Sequence, residues 1–289
     1  MKKSFKSIML IMIAVIFAIT VISSVCSYIA MANEFDHNIF HFKKGSVCAA
    51  IAMYLPILSS VVALAGMFIL RKKMSFHSVP STTGIPMTFS STFVGVMLIV
   101  SAFLGKAPSD YVSQNQPIAV FNLSTWVTIT AIISGVYFLL IPFVKKSFMT
   151  LMAFSPVLWA AFSLLEEYFR AGEPINSPIR TINLTMFSFL LLFFAEDIRF
   201  GLGNQIVGTY YFCLLSAISF TGTAVLPKIA IIIVDNSKFK FDIISWCLCA
   251  AILLFLLARL TTLPSALGNY MSKSKKENVS ANVGTSEDN

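Results

Sequence analysis

Apolar runs of about twenty residues recur along the chain with short polar connections between them, and each is long enough to cross a bilayer core of roughly 30 Å. Their approximate limits are residues 8–31, 47–70, 86–104, 120–143, 148–166, 181–200, 205–227 and 242–260. Backbone groups in hydrocarbon must be bonded within their own segment, so helices are the open-chain solution. The pattern predicts an all-α, polytopic membrane helix bundle of about eight transmembrane helices, forming one unit over residues 1–263. Residues 264–289 lose the apolar period and become polar, which predicts a disordered cytoplasmic tail.

Composition sharpens this picture. Hydrophobic residues make up 57% of the chain, charged residues 12%, and the mean hydropathy is +0.81. An average soluble domain holds roughly a quarter charged residues. The formal charge of +8 does not call for a nucleic-acid partner, because Lys and Arg sit in short connections where they orient helices. With the N-terminus in the cytoplasm, the inner segments carry Lys2, Lys3, Lys6, Arg71, Lys72, Lys73, Lys145, Lys146, Arg199, Arg259, Lys273, Lys275 and Lys276. The outer segments hold the remaining basic residues against an equal number of acidic ones, so the net positive charge lies inside. Both termini are therefore expected in the cytoplasm of a bacterial cell whose cytoplasmic membrane holds the protein. A rival reading takes Met1–Ser7 as a basic n-region and Ala30-Met31-Ala32 as an A-x-A cleavage site, leaving seven spans. The apolar run from Ile8 exceeds a usual signal core, which favours a retained helix.

Cys26, Cys48, Cys213, Cys247 and Cys249 all lie in apolar stretches and read as small buried hydrophobes, not as a disulfide framework. Cys247 and Cys249 are two apart and point to different helix faces, which disfavours a shared metal. A weak internal symmetry pairs residues 47–143 with 148–227. Pro56 in the second span matches Pro156 in the fifth, and Pro142 before Lys145 matches Pro227 before Lys228. Two three-helix units of this kind would be inverted, an arrangement found in transporters.

The polar candidates lie near helix ends. The sixth apolar run, Thr181 to Ala195, is short, so Glu196 and Asp197 are drawn toward the inner boundary, where ionisable groups usually face a partner or a wet cavity. Arg199 stands one turn from Glu196 and is expected to pair with it, leaving Asp197 to contact cytoplasmic water or a loop base. Glu166, Glu167 and Arg170 close the fifth span at the outer boundary as weaker candidates, and are expected to reach water as an interfacial cap. Hydroxyls on the third, fourth and seventh spans, with Gly95, Gly135 and Gly222, are expected to serve close helix packing.

Enzymatic inventories are unfilled. There is no intramembrane Asp pair, G-x-S-x-G elbow or H-E-x-x-H. Glu166-Glu167-Tyr168-Phe169-Arg170 resembles the di-glutamate motif of membrane-embedded CAAX proteases, but the Arg comes one residue early and no histidine follows. His37 and His41, beside Glu34 and Asp36, lack a clear third ligand and read as a solvated loop. No catalytic residue, metal or cofactor is expected. Leu-Leu-Phe-Phe-Ala-Glu-Asp-Ile-Arg-Phe at 191–200 and Thr-Ala-Val-Leu-Pro at 223–227 resemble uncharacterised multi-pass proteins of Gram-positive bacteria, over the last third of the chain and with no activity implied. The expected partners are the lipid bilayer and either a small solute or other membrane subunits. Two functional classes follow: a small-solute carrier or channel, and a non-catalytic sensory or regulatory membrane subunit. Reporter fusions after Lys44, Lys73, Ser113, Lys146, Asn176, Gly203, Lys238 and Lys276 are expected to alternate outside and inside, ending inside; an outside signal at Lys73 or Lys276 overturns this topology.

Overall fold

A computed structural model describes residues 2–36, 41–71, 84–104, 123–143, 151–169, 174, 177–202, 206–234 and 243–268. Among them are eight long helices: α1 (Lys2–Asn33), α2 (Val47–Arg71), α3 (Ile85–Leu104), α4 (Leu123–Leu140), α5 (Phe154–Phe169), α6 (Pro178–Gly201), α7 (Val207–Val234) and α8 (Ile243–Gly268). Seven of these are long and apolar enough to cross a membrane. The exception is α5, whose 16 residues rise about 24 Å. It occupies most of the expected fifth span, of which residues 148–150 lie outside the described residues.

The helix starts follow local chemistry. Ser46 caps α2, its Oγ accepting from the Ala49 amide at 3.0 Å while its hydroxyl bonds the Glu34 carboxylate. Between α1 and α2, strands β1 (Phe35–Asp36) and β2 (His41–Phe42) pair antiparallel, with the Phe35 and Phe42 rings edge to face. His41 therefore sits in a small hairpin opposite Asp36, while His37 is outside the described residues. Ser177 precedes α6, and Pro178 occupies its first position, where a missing N–H costs nothing.

Helices α3 to α8 pack in chain order, each on the next, and α8 closes back on α3. The result is a six-helix ring. Helices α1 and α2 stand outside it and pack on each other and on α7. Consecutive ring helices run antiparallel, as the contacts of α6 with α7 record: Asn183 meets Lys228, and Asp197 meets Tyr210. Along α1 and α7 the order is parallel, with Met9 beside Tyr211 and Ser24 beside Gly222. The beginning of α1 and the end of α8 consequently share one end of the bundle, here the Arg259 end; the other is the Lys228 end.

Small residues set the helix spacing. A Cβ on Gly95 would stand 2.8 Å from the Gly135 carbonyl oxygen, and one on Gly135 would stand 2.9 Å from that of Gly95, so α3 and α4 meet backbone to backbone. In the α1–α2–α7 cluster short hydroxyls take over. Ser23 donates to the Ala52 carbonyl at 3.1 Å, Thr223 to Ser23 at 3.3 Å and Ser59 to Ser219 at 2.6 Å. The outward faces stay apolar, with Leu10, Ile57, Val61, Phe103 and Leu254 among the exposed side chains, as a lipid-facing surface requires.

Four expectations are corrected. Cys247 is exposed, not buried, because it lies on the outward face of α8 while Cys249 points in. The prolines of the expected repeat serve different purposes: Pro56 lies well inside α2, whereas Pro156 is in the first turn of α5, where no backbone bond is lost. Their helices also occupy unlike places, α2 outside the ring and α5 within it. Helix α8 runs to Gly268, so residues 264–268 are helical instead of belonging to the tail; the apolar period continues through Leu260, Leu263 and Leu267. Most consequentially, α7 does not end at Pro227 but continues to Val234, since Ile-Ala-Ile-Ile-Ile-Val carries the apolar run past the proline. Replacing Gly95 by Ala is expected to destabilise the protein in detergent by about 1–3 kcal/mol, because both near neighbours of the new methyl belong to a packed helix; an unchanged thermal midpoint would show that α3 and α4 separate freely.

Candidate functional site

The extension of α7 places Lys228 inside the bundle, where only 2% of it is exposed. Its Nζ donates to Asn183 Oδ1 at 2.7 Å and lies 3.6 Å from the centroid of the Trp246 ring on α8. Asn183 turns its other end to α5, its Nδ2 donating to Glu167 Oε1 at 2.8 Å. One amide thus joins a buried ammonium to a buried carboxylate. Arg180, one turn earlier on α6 and equally hidden, donates through Nε to the Glu167 carbonyl at 3.0 Å and through a terminal nitrogen to that of Tyr168. These are last-turn carbonyls of α5, which have no intrahelical donors and carry the negative end of the helix dipole. Four helices are tied together at this level: α5, α6, α7 and α8.

The expectation that Glu166 and Glu167 simply reach water is therefore half corrected. Glu166 is partly covered, but Glu167 is 5% exposed and faces the ring. The apolar run is long enough to reach the boundary, yet Asn183 arrives from α6 and, itself bonded by Lys228, holds the carboxylate inward. Arg170 lies outside the described residues.

At the opposite end, Arg199 Nη1 pairs with Glu196 Oε1 at 2.7 Å across one turn of α6, as the spacing predicts. The Arg199 side chain is 41% exposed, so this pair is worth little. Asp197 was expected to meet water or a loop base, and instead it turns into the bundle. Its Oδ2 accepts from Arg259 Nη2 on α8 at 2.9 Å, and its Oδ1 accepts from the Tyr210 hydroxyl on α7 at 3.2 Å. Arg259 is 4% exposed, lies 5.4 Å from the Phe255 ring, and has a buried Nε without a hydrogen-bond partner. Tyr137 of α4 lies within electrostatic reach of both charges. Immediately inward, Phe138 of α4 touches Phe194 of α6 and Phe255 of α8, and Phe193 touches Phe255 and Tyr210. These rings belong to the buried core between α4, α6, α7 and α8.

Two buried polar clusters therefore cap an apolar interior, and each joins α6, α7 and α8. The residues that sequence reasoning passed over are Lys228, Asn183, Arg180, Tyr210 and Arg259. A signal existed for two of them: Lys228 is followed by six further apolar helical positions, and Arg259 follows the strongly apolar stretch of α8 without a break. No family model, curated protein or solved structure matches the chain.

Removing one member of a desolvated pair strands the other, whereas removing both does not. Arg259→Met is expected to cost about 3–5 kcal/mol of stability in detergent, and Asp197→Leu in the same chain to recover most of it. Arg199→Ala should cost less than about 1 kcal/mol. Equal losses from the two arginines, measured by thermal unfolding, would contradict the assignment of the buried pair.

Proposed function

We propose that this integral membrane protein crosses the bacterial cytoplasmic membrane eight times with both termini in the cytoplasm, and that it acts as a small-solute carrier or channel. The observation that carries this reading is the closed six-helix ring with partnered charges buried in it at both ends. Ionisable groups inside a membrane bundle are expensive, and they are commonly retained where a solute path needs polar contacts that can be remade. A bundle serving only as an anchor has no use for Lys228 facing Trp246 and Asn183. The remaining crossing is α5 with residues 151–153 before it, and the basic inner segments orient the whole. No catalytic chemistry is proposed.

A second reading, a non-catalytic sensory or regulatory membrane subunit, draws support from α1 and α2, which stand outside the ring with large exposed apolar residues such as Tyr54 and Phe68. Such a face suits another membrane protein as well as lipid. Uptake of a panel of labelled small solutes by a deletion strain separates the two. The carrier reading expects loss of uptake of a particular solute, restored by the intact chain and not by one carrying Lys228→Met with normal membrane abundance. Unchanged uptake across the panel, with an altered response of a co-purifying membrane protein, favours the regulatory reading.

A further inference from the structure

The positions of the two polar clusters along α7 define a track. Tyr210 and Lys228 are about five turns apart, roughly 27 Å, and at 100° per residue they point the same way. Thr221 falls between them on that stripe, about three turns from Tyr210 and about two from Lys228. Its hydroxyl is fully buried and has no hydrogen-bond partner. Ser134 of α4, one turn from Phe138 on the same helix face, likewise has a buried hydroxyl with none. In a packed membrane interior, Ser and Thr usually bond back to their own helix, as Thr130 does to the Trp126 carbonyl at 2.7 Å. A hydroxyl left unmet there is costly unless something else comes to meet it.

Charge along the ring is equally segregated. On α3 to α8 every described Asp, Glu, Lys and Arg lies in one of the two end clusters or at a helix end. The intervening turns carry only apolar, hydroxyl, thiol and aromatic side chains. An ion or zwitterion resting at mid-depth would find no counter-charge, and stranding it there is prohibitive. An uncharged solute with hydroxyl or amide groups would find Thr221 and Ser134, with aromatic surface beside them.

We infer that the interior of the six-helix ring is the solute path, closed at one end by Asp197–Arg259–Tyr210 with its aromatic plug and at the other by Glu167–Asn183–Lys228–Trp246, and that it takes an uncharged, hydrogen-bonding solute. This deepens the carrier reading and rests on it. Each closure joins the same three helices, so α6, α7 and α8 can part at one end while the other end holds them. Access from one side at a time follows from that geometry.

Thiol labelling tests the closures without a known solute. In the full-length chain with Cys26, Cys48, Cys213, Cys247 and Cys249 changed to Ser, Thr221→Cys places a thiol midway. Tyr210→Phe and Asn183→Ala each remove one bridging group and retain every charge, so each weakens a single closure. Because Asn183→Ala takes the shared amide from both Lys228 and Glu167, Asn183→Ser serves as a second, milder variant at that end, and monodispersity in detergent checks the folding of all three. A small uncharged, polyhydroxylated methanethiosulfonate, which crosses lipid poorly but belongs to the solute class the path would take, is added to right-side-out and inverted vesicles. Tyr210→Phe should raise labelling by at least about tenfold from the Arg259 side only, and Asn183→Ala by a similar factor from the Lys228 side only. Labelling that rises from the same side in both, or in neither, overturns the path. With both substitutions combined, reconstituted vesicles should pass erythritol several times faster than vesicles holding the parent chain, while retaining sodium gluconate; equal leakage of the salt overturns the uncharged class. The expected labelling pattern without solute uptake by the unaltered protein would keep the path and end the carrier reading, whereas uptake without that pattern would move the path elsewhere.

Discussion

A cation buried in a helix bundle has no water to retreat to, and this constraint organises the protein. Lys228 and Arg259 are both hidden, and each is met by groups from neighbouring helices. Asn183 and Trp246 must approach Lys228 from α6 and α8, and Asp197 must reach from α6 to Arg259 on α8. The register of three helices is fixed twice, once at each end, by interactions whose loss would leave a charge in a low-dielectric interior. Apolar packing alone would tolerate sliding of one smooth helix past another.

The remaining architecture fits around that double pin. In lipid there is no hydrophobic drive between helices, so close contact must come from small residues and short hydroxyl bonds. Gly95 against Gly135 supplies it for α3 and α4, and Ser23, Ser59, Ser219 and Thr223 supply it for α1, α2 and α7. The two kinds of contact divide the molecule. Neutral small-residue contacts join α1 and α2 to α7 from outside, while the charge-bearing contacts lie inside the ring.

Glu196 and Asp197 illustrate how adjacent carboxylates acquire unlike roles. They are about 100° apart on α6. One meets Arg199 of its own helix, a partner that is partly in solvent; the other meets Arg259 and Tyr210 from two other helices. Glu167 shows the same principle at the other end, where a carboxylate that could have reached water is turned inward by a neighbouring amide. Depth in the membrane did not decide either case. What decided was which helix face the residue occupied and which helix stood opposite.

Much of the fold was legible in the sequence because the bilayer is a severe solvent: apolar length sets helix length, and the clustering of Lys and Arg marks helix ends. The all-helical bundle, the Glu196–Arg199 pair and the glycine contacts all follow from local pattern. Lys228 escaped because a Pro-Lys step reads as a helix stop, although the apolar residues after it carry α7 onward, and Asn183 escaped because a single amide on a helix has no sequence signature. Helix existence, spacing along one helix and the distribution of charge were thus determined by sequence alone. The closure of α3 to α8 into a ring, the meeting of Asp197 with Arg259, and the bridging of Glu167 to Lys228 through Asn183 belong to tertiary structure, because they join residues dozens of positions apart whose relative orientation depends on helix rotation and packing partner, neither of which local hydropathy encodes.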